Sequence, residues 1–169
     1  MTRGEAMLTE AQAWELLQQV PDPELPAVSV CELGIVREVR AAPDGVTVIV
    51  TPTYSGCPAT DMIQNAIREA LRDAGAGRVS VETRLSPAWT SDWISAEARA
   101  KLRAHGIAPP QAAAGEAWQP LPFVAPRAPS CPRCGARETT RVSEFGSTAC
   151  KALYRCVRCC EPFEYFKPV

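Results

Sequence analysis

The chain has 169 residues, with 18 basic and 19 acidic side chains and a formal net charge of −1. That length fits one ordinary domain plus a small module, and the even charge balance excludes a nucleic-acid backbone or an anionic membrane as a partner recognised by charge alone. A single histidine, His105, removes every chemistry that needs two, such as a two-His zinc hydrolase or a His-Glu-x-x-His helix.

Residues 1–7 lead into an amphipathic segment with no apolar signal core. No run approaches the roughly 18 apolar residues of a membrane span. The expectation is a cytoplasmic protein, in which thiols and metal thiolates are favoured over disulfides. Thr9 with Gln12 three residues on is a capping box, so a first helix is predicted from Thr9 to about Val20, with Trp14, Leu17 and Val20 on one stripe and Pro21 as its stop. Asp22-Pro23-Glu24-Leu25-Pro26 then forces an extended or turned loop, because a proline disfavours the αR region for the residue before it. Residues 33–40 and 46–51 read as two strands of an antiparallel hairpin through Asp44-Gly45, a turn signal.

The clearest helix runs over 59–74, where Ile63, Ala66, Ile67, Ala70 and Leu71 recur on one face and Gly75 ends it. Residues 78–85 alternate Val79, Val81, Thr83 and Leu85 against polar neighbours, which predicts a third strand. Trp89 and Trp93, four apart on a helix-like turn, are read as core before an apolar contact patch. A short helix follows from about Ala96 to Ala104, with His105 and Gly106 at its end. The order α-β-β-α-β makes an α+β domain over 1–107, a small antiparallel or mixed sheet with helices on one face. Residues 108–130, with six prolines, read as a linker. Residues 131–169 form a mostly β module with short strands at 139–145, 152–155 and 163–166.

The strongest chemical signal lies in that last module. Cys131/Cys134 and Cys156/Cys159 are two Cys-x-x-Cys knuckles with 21 residues between them. Each knuckle turns two thiolates to one side, and two of them complete the tetrahedron of sulfur ligands that Zn²⁺ prefers. A d10 ion without redox chemistry is the usual occupant of a closed four-thiolate site, so zinc is the expected metal. Cys160 adjoins Cys159 and competes with it as the fourth ligand. The module carries seven Lys/Arg against four Glu, a surplus of three that the net charge of a zinc tetrathiolate would mostly cancel. It is not a basic patch.

Cys57, in Gly56-Cys57-Pro58 before the 59–74 helix, is the second place where chemistry can reside. Proline fits the first helical position, which puts the thiol at or beside the N-cap, where free N–H groups and the helix dipole lower a thiol pKa. The competing reading is a small buried apolar residue. Asp22 and Glu24 can supply oxygen ligands or move protons beside Cys57 if the two loops meet, or can simply make an Asx-type turn. Cys31 reads as core filler. Cys150, outside both knuckles, is either a spare buried residue or a working thiol whose ionisation Lys151 would favour.

The motifs Asp22-Pro23-Glu24, Ser29-Val30 with Glu32-Leu33-Gly34-Ile35-Val36, and Thr51-Pro52-Thr53-Tyr54-Ser55-Gly56-Cys57-Pro58 resemble the small iron-sulfur assembly domain of the SufT-like family. Together with Trp89-Thr90-Ser91-Asp92-Trp93-Ile94, residues 145–152 and residues 161–167, the chain resembles the PaaD-type accessory proteins of phenylacetyl-CoA epoxidase. That resemblance implies a non-catalytic role, the assembly or insertion of an iron-sulfur cluster for the epoxidase reductase component or for the oxygenase complex more broadly. It implies Cys57 as the working cysteine and Asp22 and Glu24 as the acidic loop; Cys150, on its own position beside Lys151, is a further candidate for handling iron or a transient cluster. Partners would be the epoxidase oxygenase and reductase subunits and iron-sulfur assembly proteins, with no nucleic acid or membrane, and a homodimer stays open. Pro168 stands where the family often carries another cysteine, so no mechanism can use a thiol there. A nucleic-acid- or protein-binding zinc-ribbon adaptor and a thiol oxidoreductase are the competing classes.

Overall fold

The computed structural model describes residues 8–54, 56–111 and 128–169. The segment 1–7, Ser55 and most of the 108–130 stretch predicted as a linker lie outside the described residues. The chain divides into two compact units, one of residues 1–89 with 93–98 and one of residues 90–92 with 99–169.

In the first unit, helix α1 spans Glu10–Leu17. Its capping box is formed as the sequence indicates. The Thr9 Oγ1 accepts from the Gln12 N–H at 3.3 Å and the Gln12 Oε1 accepts from the Thr9 N–H at 3.0 Å. Ala13, Leu17 and Val20 are buried and Trp14 only half so. Strand β1 (Val36–Ala42) pairs antiparallel with β2 (Gly45–Val50), Val39 opposite Val48. Strand β3 (Arg78–Thr83) joins β2 in parallel, Val46 opposite Val79, so β2 is the central strand. A parallel partner needs a crossover. Helix α2 (Thr60–Asp73) provides it, burying Ile63, Ile67 and Leu71.

The first strand begins three residues later than the alternation suggests, for a local reason. Residues 29–34 form a tight turn locked by a second capping box, with the Ser29 N–H donating to Glu32 Oε2 at 2.8 Å and the Glu32 N–H to Ser29 Oγ at 3.1 Å. Gly34 ends the turn at φ +70°, where a Cβ would stand 2.7 Å from that of Trp93. Trp89 is buried and donates its indole N–H to the Leu33 carbonyl at 2.9 Å. Trp93 is half-buried in the short 3₁₀ turn Ser91–Trp93, with the Arg37 guanidinium 3.5 Å from its ring centroid. The two tryptophans do not share a helix.

Helix α3 (Ala96–Ala104) has the expected bounds and runs across the division between the units. His105 turns its Nδ1 to the Lys101 carbonyl at 2.9 Å, beside Gly106 at φ +77°. The second unit contains a four-stranded sheet in the order β4-β7-β6-β5. Its strands are β4 (Ile107–Ala108), β5 (Thr139–Ser143), β6 (Lys151–Cys156) and β7 (Pro162–Phe166). Strand β4 has no sequence signal, since two residues carry no period, and it exists by pairing in parallel with β7. Phe163, Tyr165, Cys131 and Cys156 form the core with Ala108 and Ala136, and Tyr154 packs edge-on against Tyr165 at 5.6 Å between centroids. Among the described residues no helix is long and apolar enough to cross a membrane.

Candidate functional site

Both knuckles are closed by their own backbones. In the first, the Cys131 N–H donates to the Ala136 carbonyl at 2.8 Å, the Gly135 N–H returns to the Cys131 carbonyl at 2.9 Å, and Gly135 sits at φ +72°. In the second, the Cys156 N–H donates to the Glu161 carbonyl at 3.0 Å and Cys160 occupies the equivalent position at φ +61°. A glycine serves this conformation at no steric cost and a cysteine does not. Cys160 therefore takes the place of the turn glycine, and its exposed side chain stands outside the sulfur group. The antiparallel pairing of Thr139 with Cys156, and the Val157 N–H on the Glu138 carbonyl at 2.9 Å, bring the two knuckles face to face.

The sulfur atoms of Cys131, Cys134, Cys156 and Cys159 all lie within 4.8 Å of one another. Cys131 to Cys159 is 3.8 Å and Cys134 to Cys156 is 3.6 Å. A tetrahedron of metal–sulfur bonds near 2.3 Å has edges of about 3.8 Å, whereas a disulfide holds its sulfurs at about 2.05 Å. The donor set thus fits a tetrahedral thiophilic cation. The Cys159 N–H points at the Cys156 sulfur at 3.5 Å and holds that thiol down at about 7. The Glu161 N–H pulls Cys159 the same way, but burial and the sulfurs of Cys156, Cys134 and Cys131 outweigh it and push Cys159 up to about 12. Four crowded thiols cannot all ionise at neutral pH, and a divalent cation among them removes that repulsion.

Cys57 lies in a different setting. Its N–H donates to the Tyr54 carbonyl at 3.2 Å, and its own carbonyl accepts from the Thr60 N–H at 3.2 Å and the Thr60 hydroxyl at 2.9 Å. The N-cap of α2 is Ala59, with Pro58 before the helix rather than in it, so Cys57 stands two residues ahead of the cap. This alters the expected thiol chemistry. The Ala59 N–H and Thr53 do stabilise the thiolate, yet burial, followed by the charges of Glu24 and Asp22, raises the Cys57 pKa above its ordinary value. Desolvation and two carboxylates outweigh one helix end.

The acidic loop and the thiol therefore sense one another within the first unit. Asp22, only 6% exposed, also serves as a turn-former, its Oδ1 accepting from the Glu24 and Leu25 N–H groups at 2.9 Å each. Asp22, Glu24 and Cys57 do not form a converged ligand triad; among the described residues the four cysteines of the second unit are the group of three or more ligand atoms that does. Cys31, half-buried, is pushed up to about 12 by burial and then by Glu32, in keeping with packing. Cys150 belongs to the second unit, with its sulfur 3.0 Å from the Thr148 hydroxyl. Lys151 does not serve that thiol as the sequence suggests. It is buried and paired with Glu164 at 2.9 Å, and Glu164 also accepts from the Ser147 N–H at 2.6 Å. Sequence reasoning missed Thr53, the Ser29–Glu32 box and the turn role of Cys160. Only the second had a readable signal, its Ser-x-x-Glu spacing.

Two family descriptions match, "Iron-sulfur cluster assembly protein" over residues 10–83 and "PaaD zinc beta ribbon domain" over residues 122–167. An Escherichia coli K12 protein, named as one of the subunits of a "Putative 1,2-phenylacetyl-CoA epoxidase", is 51% identical over 156 residues, 92% of this chain and 91% of its own length. The chain belongs to the PaaD family. An Fe-S protein maturation auxiliary factor of Porphyromonas gingivalis is 36% identical over 59% of this PaaD-family chain and 95% of its own length. Among solved structures, a domain of unknown function from Bacillus anthracis matches with TM-score 0.51 and 27% identity, covering 55% of this chain and 90% of that one. A conserved hypothetical protein from Thermotoga maritima matches with TM-score 0.50 and 31% identity, covering 60% and 98%. The α+β class with a mostly β four-cysteine module agrees with the sequence reading.

Proposed function

We propose that this PaaD-family chain is a non-catalytic maturation factor that assists the assembly or insertion of an iron-sulfur cluster for a phenylacetyl-CoA epoxidase complex. In this reading Cys131, Cys134, Cys156 and Cys159 hold a structural zinc, and Cys57, flanked by Asp22 and Glu24, handles the iron or cluster as cargo. The partners are the epoxidase oxygenase and reductase subunits and the iron-sulfur assembly proteins. The observation that carries the reading is the segregation of thiols. One set of sulfurs is mutually arranged at tetrahedral spacing, while a chemically distinct thiol, within reach of the charges of two carboxylates, belongs to the unit that matches the iron-sulfur assembly family.

Zinc, when bound, supplies charge neutralisation and a fixed fold and no redox chemistry. The residues of the second unit orient the thiolates through the N–H groups already described. In the first unit, the raised pKa keeps Cys57 as a thiol at neutral pH until a cation displaces its proton, a condition suited to reversible capture and release. Glu24 and Asp22 disfavour the bare thiolate and attract the incoming cation, and both effects favour a metal over a free nucleophile. The fit of both Cys-x-x-Cys pairs to one sulfur group also disfavours a thiol oxidoreductase, which needs a reactive dithiol.

The test is co-expression of Cys57→Ser with the epoxidase subunits. The expected result is a fall in cluster content and epoxidase activity with zinc retained in the variant; unchanged cluster content would remove Cys57 from the role.

A further inference from the structure

The second unit contains a cleft of about 920 Å³ that the metal centre does not use. Helix α3 lines it with Arg99 and, one turn on, Arg103, and Arg137, just beyond the first knuckle, lines it as well. The three guanidiniums differ in their engagement. Arg99 is a fastener, donating to the Ser91 carbonyl at 2.7 Å and to the Pro110 carbonyl, so it fixes the wall. Arg103 and Arg137 are exposed, and neither guanidinium has an ion-pair or hydrogen-bond partner among the described residues. Elsewhere in the unit the basic side chains are largely answered, Arg133 by Glu161, Arg141 by Glu144 and Lys151 by Glu164. Among the described residues, Asp92 is the one acidic side chain lining the cleft.

Between these polar side chains the lining is stiffened by prolines. Pro109, Pro110 and Pro129 line the cleft. The Thr139 hydroxyl on the Pro129 carbonyl at 2.7 Å and the Gln111 side chain on the Ala128 carbonyl at 3.2 Å hold its edges. Among the described residues no aromatic side chain lines it to stack a base, and no glycine-rich turn is there to cradle phosphates. Proline-walled grooves suit an extended backbone, and guanidinium forks pair with carboxylates in bidentate fashion.

We propose that this cleft docks an extended acidic peptide segment of a partner protein, with Arg103 and Arg137 as the carboxylate-reading residues and Arg99 as the positioning residue. The proposal is independent of how Cys57 handles metal. It assigns the second unit a recruiting task beside its closed metal centre.

The experiment uses the full chain and a fluorescein-labelled peptide of alternating Glu and Ala, read by fluorescence anisotropy, with inorganic tripolyphosphate titrated in parallel. Binding at low salt that weakens as salt rises, and that falls by about tenfold or more in Arg103→Glu/Arg137→Glu, supports the proposal. Both positions are exposed, so zinc content and melting temperature of the variant should match the parent. Arg103→Lys/Arg137→Lys, which keeps charge and loses the forks, should fall between the two. Absence of peptide binding at millimolar concentration overturns the proposal, as does equal binding by the charge-reversed variant. Tripolyphosphate binding that needs both arginines while the peptide binds to neither protein also overturns it, in favour of a small polyanion.

Discussion

Two cysteine environments in one chain obey opposite rules. At the knuckles, four sulfurs are held 3.6–3.8 Å apart across two pairs by backbone N–H groups, with no carboxylate in the group, so the site is complete in itself. At Cys57 a single thiol sits among desolvating neighbours and two acidic side chains that hold its proton on. The contrast teaches that permanence and exchange are set by the shell around the sulfur. A preorganised tetrad repays the cost of ionising its thiols by binding tightly, whereas a lone raised-pKa thiol binds only while a cation is supplied.

The largest expected effect comes from breaking the tetrad. Cys156→Ala or Cys131→Ser should abolish zinc binding and unfold the second unit, since structural zinc contributes on the order of 10 kcal/mol to such modules. Metal analysis and near-ultraviolet circular dichroism check it. Acid should act in the same direction, because protonation of the four thiolates competes with the metal as pH falls. Zinc release against pH reads this directly.

The next effect separates fold from tetrad. Lys151→Met leaves Glu164 partly buried without its cation and should cost roughly 3 kcal/mol, measured by denaturant unfolding of the zinc-loaded protein. Burial raises the Glu164 pKa, but the Ser147 N–H and Lys151 outweigh it and hold it below the ordinary carboxylate range. A lowered folded-state pKa contributes stability above the unfolded-state value and loses it as pH falls through the folded-state value. The stability gap between the parent and Lys151→Met should therefore narrow in acid.

Two smaller effects sharpen the Cys57 side. Glu24→Gln removes a charge that raises the Cys57 pKa, so alkylation of Cys57 by iodoacetamide at neutral pH should quicken; an unchanged or slower rate would deny the coupling. Cys160→Gly restores the residue that a positive φ favours and should leave zinc content unchanged, with stability equal or higher by about 1 kcal/mol. Loss of zinc in that variant would make Cys160 a ligand and break the tetrad as assigned.

Much of this was legible in the residues, for physical reasons that differ by element. The capping box at Thr9, the 3.6-residue stripe of Ile63, Ile67 and Leu71, and the alternation over Val79 and Val81 are local patterns, and each produced the element it implies. The knuckles were legible because spacing and turn geometry are one constraint. Strand β4 was not, since two residues pair only because β7 is present. The Cys57 pKa was misjudged because a helix N-terminus is readable from Pro58, whereas burial and the approach of Asp22 and Glu24 across more than 30 residues of chain are tertiary facts. Lys151 misled for the same reason: its neighbour in sequence is Cys150 and its partner in space is Glu164.

The central claim is that the tetrad holds its ion independently while Cys57 is reserved for iron. Zinc, iron and acid-labile sulfide should be measured on anaerobically purified parent and Cys57→Ser protein, each co-expressed with the epoxidase subunits. The account predicts stoichiometric zinc in both, with iron and sulfide associated with the parent and lost from the variant. Well-folded parent protein without zinc, or zinc that disappears with Cys57, would contradict it.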